Sequence, residues 1–152
     1  MKDAMQILLV EDDPQDLRLT MRELQNANLA NRIEVARDGE EALDFLFCRG
    51  AHSGRSLRHP PRLVLLDLKL PKVDGLQVLK EIKSRPETQA IPVVVMTSSR
   101  EEQDMVESYK LGVNSYIQKP VDFDQFRQTI NALGLYWLVV NQSPPEKTFS
   151  TE

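Results

Sequence analysis

The chain has one cysteine, Cys48, among its 152 residues, so no internal disulfide can brace it. It has no run near the roughly 20 apolar residues needed to span a bilayer, and the opening "MKDAMQILLV" holds too short an apolar stretch for a signal peptide. It also lacks an excess of positive charge: 19 Lys and Arg against 23 Asp and Glu give a formal charge of −4 and a pI near 5.3. Affinity for nucleic acid through phosphate contacts needs the opposite balance, so direct nucleic-acid binding is not expected. Internal repeats and low-complexity tracts are missing as well. The expectation is a cytoplasmic protein of a reducing compartment with no membrane contact. At 41% hydrophobic content, its length suits one globular domain with a real core.

Short apolar runs alternate with segments of helical period. Ile7 to Val10, Ile33 to Ala36, Leu63 to Leu66, Ile91 to Met96 and Ser115 to Ile117 read as five strands. Most are aliphatic on both faces, as buried parallel strands are. Each is followed by a helical segment. The first has Leu17, Met21 and Leu24 on one face, and Asp13 or Asp16 can cap it. In "DGEEALDFLF", Asp38 can cap the second helix, with Glu41 at the capping-box position. The third follows Asp74 and Gly75 and is expected to bury Val78, Leu79 and Ile82. For the fourth, Ser98 or Ser99 can cap and Gly112 can stop the helix. The fifth carries Phe126, Ile130, Leu133 and Trp137 as a stripe. Five strand–helix units predict an α/β fold with a doubly wound parallel sheet and helices on both faces.

In such sheets the ligand site lies beyond the carboxyl ends of the strands. The first strand runs into Glu11, Asp12 and Asp13, and the third ends at Asp67. The fourth ends at Thr97 and Ser98, and the fifth at Lys119 and Pro120. At an effective dielectric of about 20, two carboxylates roughly 4 Å apart repel by about 4 kcal/mol. Such a cluster is therefore tolerable only when solvated or when it holds a cation. An aspartate at this rim can act as a nucleophile and form an acyl phosphate, and an oxygen-seeking divalent ion such as Mg²⁺ would offset the repulsion of an incoming phosphoryl group.

The ordered set "VEDD", "LLDLKLPKVDG", "MTS" and "YIQKP" resembles the receiver domain of bacterial response regulators, from Met5 to about Trp137. The spacing agrees: thirty residues separate Asp67 from Thr97, and twenty-two separate Thr97 from Lys119. The resemblance implies a flavodoxin-like receiver fold with strand order 2-1-3-4-5. It implies a switch that accepts a phosphoryl group from a histidine kinase on Asp67 and catalyses nothing beyond its own phosphorylation and dephosphorylation. It makes Asp12 and Asp67 direct Mg²⁺ ligands, with Glu11 acting mainly through water and the Lys69 backbone carbonyl completing the set. Lys119 and Thr97 then contact phosphoryl oxygens, and Tyr116 becomes a rotameric switch coupled to Thr97. Signalling is expected on the face made by helix four, strand five and helix five. A cis peptide is implied between Lys119 and Pro120. The arginine-bearing insertion before strand three, the "KPVDFDQF" start and the "YWL" ending resemble the small single-domain regulators that partner phytochrome-type histidine kinases.

Other readings stay open at this point. A Mg²⁺-dependent aspartyl-phosphate phosphohydrolase commonly needs a second acid two residues after its nucleophile, but Lys69 stands there. A receiver-like adaptor that is never phosphorylated would not need Asp67, Thr97 and Lys119 together. A flavodoxin would want a Ser/Thr/Gly-rich phosphate loop where "EDDPQD" lies. The insertion "CRGAHSGRSLRHPPR" reads as a solvated loop or an acid-binding surface for a kinase, and its histidines lack zinc-ligand spacing with Cys48. The run "ALGLYWLVV" has more apolar side chains than one stripe can bury, so Tyr136, Trp137 and Leu138 are expected to form a homodimer contact, the alternative being a tail that folds back on its own domain. The receiver domain is drawn over residues 1–140, with a flexible tail over 141–152.

Overall fold

The computed structural model describes residues 7–26, 32–98 and 100–132, and of Ile130 the backbone alone. Strands β1 (Ile7–Val10), β2 (Ile33–Ala36), β3 (Leu63–Leu66), β4 (Val93–Thr97) and β5 (Ser115–Gln118) form one parallel sheet in the order β2-β1-β3-β4-β5. The helices are α1 (Pro14–Asn26), α2 (Gly39–Leu46), α3 (Gly75–Ser84), α4 (Glu102–Lys110) and α5 (Phe123–Ala132), with a 3-10 turn at Gly50–His52 after α2. This is the doubly wound receiver fold in the expected strand order.

Alternation along the strands divides the core in two. Leu8, Val10, Val64, Leu66, Val93 and Val95 point towards α2 and α3, where they meet Ala42, Phe45, Val78, Leu79 and Ile82. Ile7, Leu9, Leu63, Leu65, Val94 and Met96 point the other way, onto Leu24 of α1 and Phe126 of α5. A period of two sends successive side chains to opposite faces. Because both faces are covered, no polar position breaks these strands, which is why they read as continuous aliphatic runs.

Most helix termini carry the expected signals. Asp13 accepts from the Gln15 amide at 2.9 Å, with Pro14 as the first helical residue, so the third acid of the opening cluster caps α1. Asp38 accepts from the Glu41 amide at 2.8 Å, but Glu41 reaches back to the Arg37 amide at 3.0 Å instead of that of Asp38. Asp74 caps α3 through the Leu76 amide at 2.8 Å. Gly112, at φ 102°, closes α4 in a Schellman arrangement: its amide bonds Tyr109 O at 3.1 Å and the Val113 amide bonds Ser108 O at 3.1 Å.

Two expectations need correction. Ser98 does not cap α4, because the helix starts four residues later with Glu101 in the cap position and no side-chain cap bond. Glu101, at φ −78° and ψ 121°, is itself still extended, so the helix cannot begin before it. Strand four also begins at Val93 and not at Ile91. The Ile91 amide is spent on Thr88 O at 2.9 Å and Pro92 has no amide to give, although Ile91 is still buried in the core. Ser99, Leu133 and Trp137 lie outside the described residues.

Candidate functional site

Sheet register assembles the site. Val10 and Leu66 are partners across β1 and β3, so the residues that follow them, Glu11 and Asp67, leave the sheet side by side. The ladder continues one step further: the Asp67 amide bonds Val10 O at 3.1 Å, and the Glu11 amide bonds Ala36 O at 3.0 Å. On the other side Thr97 pairs with Gln118, and the Lys119 amide bonds Thr97 O at 2.8 Å. Gly75 allows the tight approach of α3 behind Asp67, since a Cβ there would lie 2.4 Å from both Asp67 O and Leu68 Cα.

Lys119 is the centre of the cluster. Its Nζ donates to Glu11 Oε1 at 2.7 Å, Asp16 Oδ2 at 2.9 Å and Asp67 Oδ2 at 3.0 Å. The second oxygen of Asp67 accepts from the Lys69 amide at 3.1 Å. The second oxygen of Glu11 accepts from the Asp13 amide at 3.2 Å. Glu11 and Asp67 are only 3% and 6% exposed, whereas Asp12 is exposed at the mouth. Lys119 and Pro120 are joined by a cis peptide bond.

One ammonium among three carboxylates leaves negative charge in excess. Burial is the largest influence on Glu11 and lifts its pKa, and the Asp67 charge lifts it further. Hydrogen bonding to Lys119 pulls it down, and the outcome is about 7. For Lys119, burial disfavours the charged form, but the bonds to Glu11, Asp16 and Asp67 outweigh it and hold the pKa above the ordinary lysine value. The ammonium is therefore charged at any physiological pH, and the carboxylates around it still outnumber it.

The donor set suits a hard divalent ion: Glu11, Asp12 and Asp67 offer oxygen only, as such ions require. Among the described residues no group of three His, Cys, Asp or Glu is gathered in an arrangement ready to hold a metal. Two of the three expected carboxylates already face Lys119. An ion would share Asp67 with that ammonium, entering from the side where Asp12 is exposed.

Thr97 is fully buried at the end of β4. Tyr116, half-buried, packs against the core cluster on the α2 and α3 side, and it lines a cleft of about 360 Å³ with Arg100, Glu101, Met105 and Gln118. The expected switch pair therefore lies on adjacent strands, with Tyr116 beside the start of α4. Tyr136, Trp137 and Leu138 lie outside the described residues.

Two acids of the site were not anticipated. Asp16 looks like a first-turn acid complementing the dipole of α1, and nothing local signals that Lys119 bonds it. Asp104, on α4, pairs with Lys69 Nζ at 3.7 Å. The insertion is largely exposed, as expected of a solvated loop, but one of its arginines is anchored to the domain. The Arg55 guanidinium lies 3.7 Å from the centroid of the Phe45 ring, and it donates to Phe45 O and, at 3.0 Å, to His59 O. No helix among the described residues is long and apolar enough to cross a membrane.

Comparison with known proteins gives the family and the fold. The family model described as "Response regulator receiver domain" matches residues 7–131. The chain is 46% identical over 143 residues to the probable methanogenesis regulatory protein FilR2 of Methanothrix harundinacea (strain 6Ac), covering 94% of this chain and 90% of that one. The structure of the bacteriophytochrome response regulator AtBRR superposes with a TM-score of 0.80 at 53% identity, covering 92% of this chain and 99% of that one. The Mn(2+)-bound form of the response regulator Rcp1 has a TM-score of 0.73 at 38% identity, with 93% and 99% covered. The phosphorylated cyanobacterial phytochrome response regulator RcpA has a TM-score of 0.73 at 40% identity, with the same coverage.

Proposed function

Because the chain belongs to the response regulator receiver domain family, we propose that it is a single-domain phosphorylation switch whose acceptor is Asp67 and whose donor is a phytochrome-type histidine kinase. The observation that carries the acceptor assignment is the convergence of Asp67, Glu11 and Lys119 at one rim, with Thr97 at the end of the neighbouring strand. Receiver domains are signalling proteins and not turnover enzymes, and this reading keeps that role.

An Asp67 oxygen attacks the phosphorus of a phosphohistidine. The P–N bond breaks as the acyl phosphate forms, and the histidine departs with the electron pair and takes up a proton. Lys119, already 3.0 Å from Asp67, moves its charge onto a phosphoryl oxygen as the acceptor's negative charge is spread over the new group. Thr97 offers its hydroxyl to another oxygen, and that reach draws on the space beside Tyr116 and α4. Mg²⁺, held by Asp12, Asp67 and the Lys69 carbonyl with Glu11 acting through water, would neutralise the charge that otherwise repels the donor. That the Rcp1 structure is a Mn(2+)-bound form supports a divalent ion here.

A groove of about 730 Å³ adjoins Lys119, with Asp16, Glu23 and Asp124 as charges along it and Leu19 and Phe123 as apolar lining. It suits one helix of a kinase, carrying apolar and basic residues, next to the acceptor. The phytochrome assignment rests on likeness to AtBRR and RcpA. The likeness to FilR2 favours a second reading of the input, in which a kinase of another sensory class is the donor. Purified chain mixed with a phosphorylated phytochrome-type kinase separates the two, since a cognate pair transfers its label within seconds and a non-cognate pair does not.

The homodimer expectation, the boundary at residue 140 and a cytoplasmic location are kept as part of the same proposal. Wild type sedimenting as a dimer at tens of micromolar, and Trp137→Ala as a monomer, supports the contact at Tyr136, Trp137 and Leu138. A monomeric wild type rejects it.

A further inference from the structure

Lys69 does two things at once. Its backbone amide bonds the acceptor carboxylate, at 3.1 Å from Asp67 Oδ1. Its side chain runs the other way, to Asp104 Oδ2 at 3.7 Å on the first turn of α4. Asp104 and Asp12, which line one cleft with Lys69, differ in setting. The Asp104 side chain is 15% exposed, while Asp12, across the same cleft, is open to solvent. Asp74 lines this cleft as well, but it is engaged in capping α3.

The helix that Lys69 holds is weakly anchored. Its N-terminus has no side-chain cap, and Ser108 is the residue of α4 that is buried. Met105, Val106 and Tyr109 are 39%, 45% and 51% exposed. A helix of nine residues with so little buried apolar surface is held by its ends and by a few lateral contacts. The Lys69–Asp104 pair is one of those contacts, and it ties α4 to the loop that follows the acceptor.

We propose that the Lys69 ammonium is a further phosphoryl-binding group, held by Asp104 before phosphorylation and drawn to the phosphoryl group afterwards, so that the first turn of α4 is released. A phosphoryl group brings a charge of about −1.5 to −2 and strong acceptor oxygens to a point two residues from Lys69. Asp104 offers one negative charge at a distance beyond good hydrogen bonding, so the phosphoryl group wins the competition. The transfer adds a route from the site to α4 that does not pass through Thr97 and Tyr116. By linkage, a contact made only in the unphosphorylated state also opposes phosphorylation, and its loss must favour the phosphorylated form.

This inference rests on Asp67 being the acceptor, and the test separates the two. Full-length wild type, Asp104→Asn, Asp104→Glu and Glu102→Gln are each incubated with limiting acetyl phosphate and Mg²⁺. Intact mass gives the phosphorylated fraction, and hydrogen exchange follows the amides of residues 102–106. Asp104→Asn is expected to raise amide exchange in the unphosphorylated protein about two- to fivefold, the range a partly exposed ion pair supports. Phosphorylation should then raise it little further, and the phosphorylated fraction relative to the unphosphorylated one should rise by a similar factor. Asp104→Glu should keep the wild-type behaviour. Glu102→Gln removes the same charge from the same turn without touching Lys69, and it should change neither readout. The inference is overturned if Asp104→Asn matches wild type, or if Glu102→Gln reproduces its effect and bulk charge explains both. A wild type that gains no phosphoryl mass overturns the acceptor assignment and this inference with it.

Discussion

Lys119 Nζ lies 3.0 Å from Asp67 Oδ2, between side chains 52 positions apart in the chain. The contact exists because β3 and β5 flank β4 in parallel, so their ends reach one rim. It gives Asp67 a fixed partner on one oxygen while the Lys69 amide holds the other. The Asp67 carboxylate is thus held in one orientation, and the carboxylates at the rim still outnumber the single ammonium.

Asp67→Asn should abolish the mass gain on incubation with acetyl phosphate and Mg²⁺. The amide keeps the size of the side chain and still accepts from the Lys69 amide, so thermal unfolding should remain cooperative. Mass spectrometry decides the matter, and labelling of the variant at the wild-type rate would remove Asp67 from its role.

Lys119→Met should be harmful in two separable ways. It leaves Glu11 and Asp67, both nearly buried, without their shared ammonium, and stranding buried charge costs about 3 kcal/mol. The loss should be largest near pH 8 and smaller near pH 6, where a proton can replace the missing cation. Denaturant unfolding at the two pH values measures this. The phosphoryl adduct should still form, slowly, because the nucleophile itself is intact.

How much of this was legible in the sequence varies with the range of the interaction. Strand ends, helix caps at Asp13 and Asp38, and the stop at Gly112 are local, so residue type and spacing revealed them. That Glu11 and Asp67 meet at one rim was legible because each directly follows an aliphatic strand, and Lys119 because it follows the short β5 and precedes Pro120. Asp16 and Asp104 were not, because each sits on a helix whose phase relative to the rim depends on packing. The Arg55 clamp on Phe45 was hidden for the same reason: an arginine in an irregular segment looks solvated until the surface beneath it is known.

Arg55→Ala tests that last point. The guanidinium covers the Phe45 ring and bonds Phe45 O and His59 O, so its removal exposes an aromatic face and unties the insertion from α2. The expected cost is about 2 kcal/mol, combining a stacked cation with lost charge-assisted bonds. Phosphorylation by acetyl phosphate should be unchanged, since the insertion is separate from the rim. Chemical denaturation gives the first quantity and intact mass the second.

Glu11 makes the stability of the metal-free protein depend on pH in an unusual direction for a carboxylate. Its pKa is about 7 when folded against an ordinary 4.5, so the folded state holds the proton more tightly than the unfolded chain. The stabilisation is complete below about 4.5 and is lost as the pH rises through 7. Lys119 shifts upward from an already alkaline value, and its contribution is constant across this window. In chelator, the Glu11 contribution to unfolding free energy should therefore fall between pH 5 and pH 8, by an amount on the order of 2 kcal/mol. Glu11→Gln should flatten that slope, because the amide imitates the protonated acid, and it should be the more stable protein at pH 8. Millimolar Mg²⁺ should also flatten the slope in wild type, by supplying the cation that the proton otherwise replaces. A wild type whose unfolding midpoint rises steadily from pH 5 to pH 8 in chelator would mean that Lys119 alone neutralises the cluster, and the site would then have no unmet demand for a second cation.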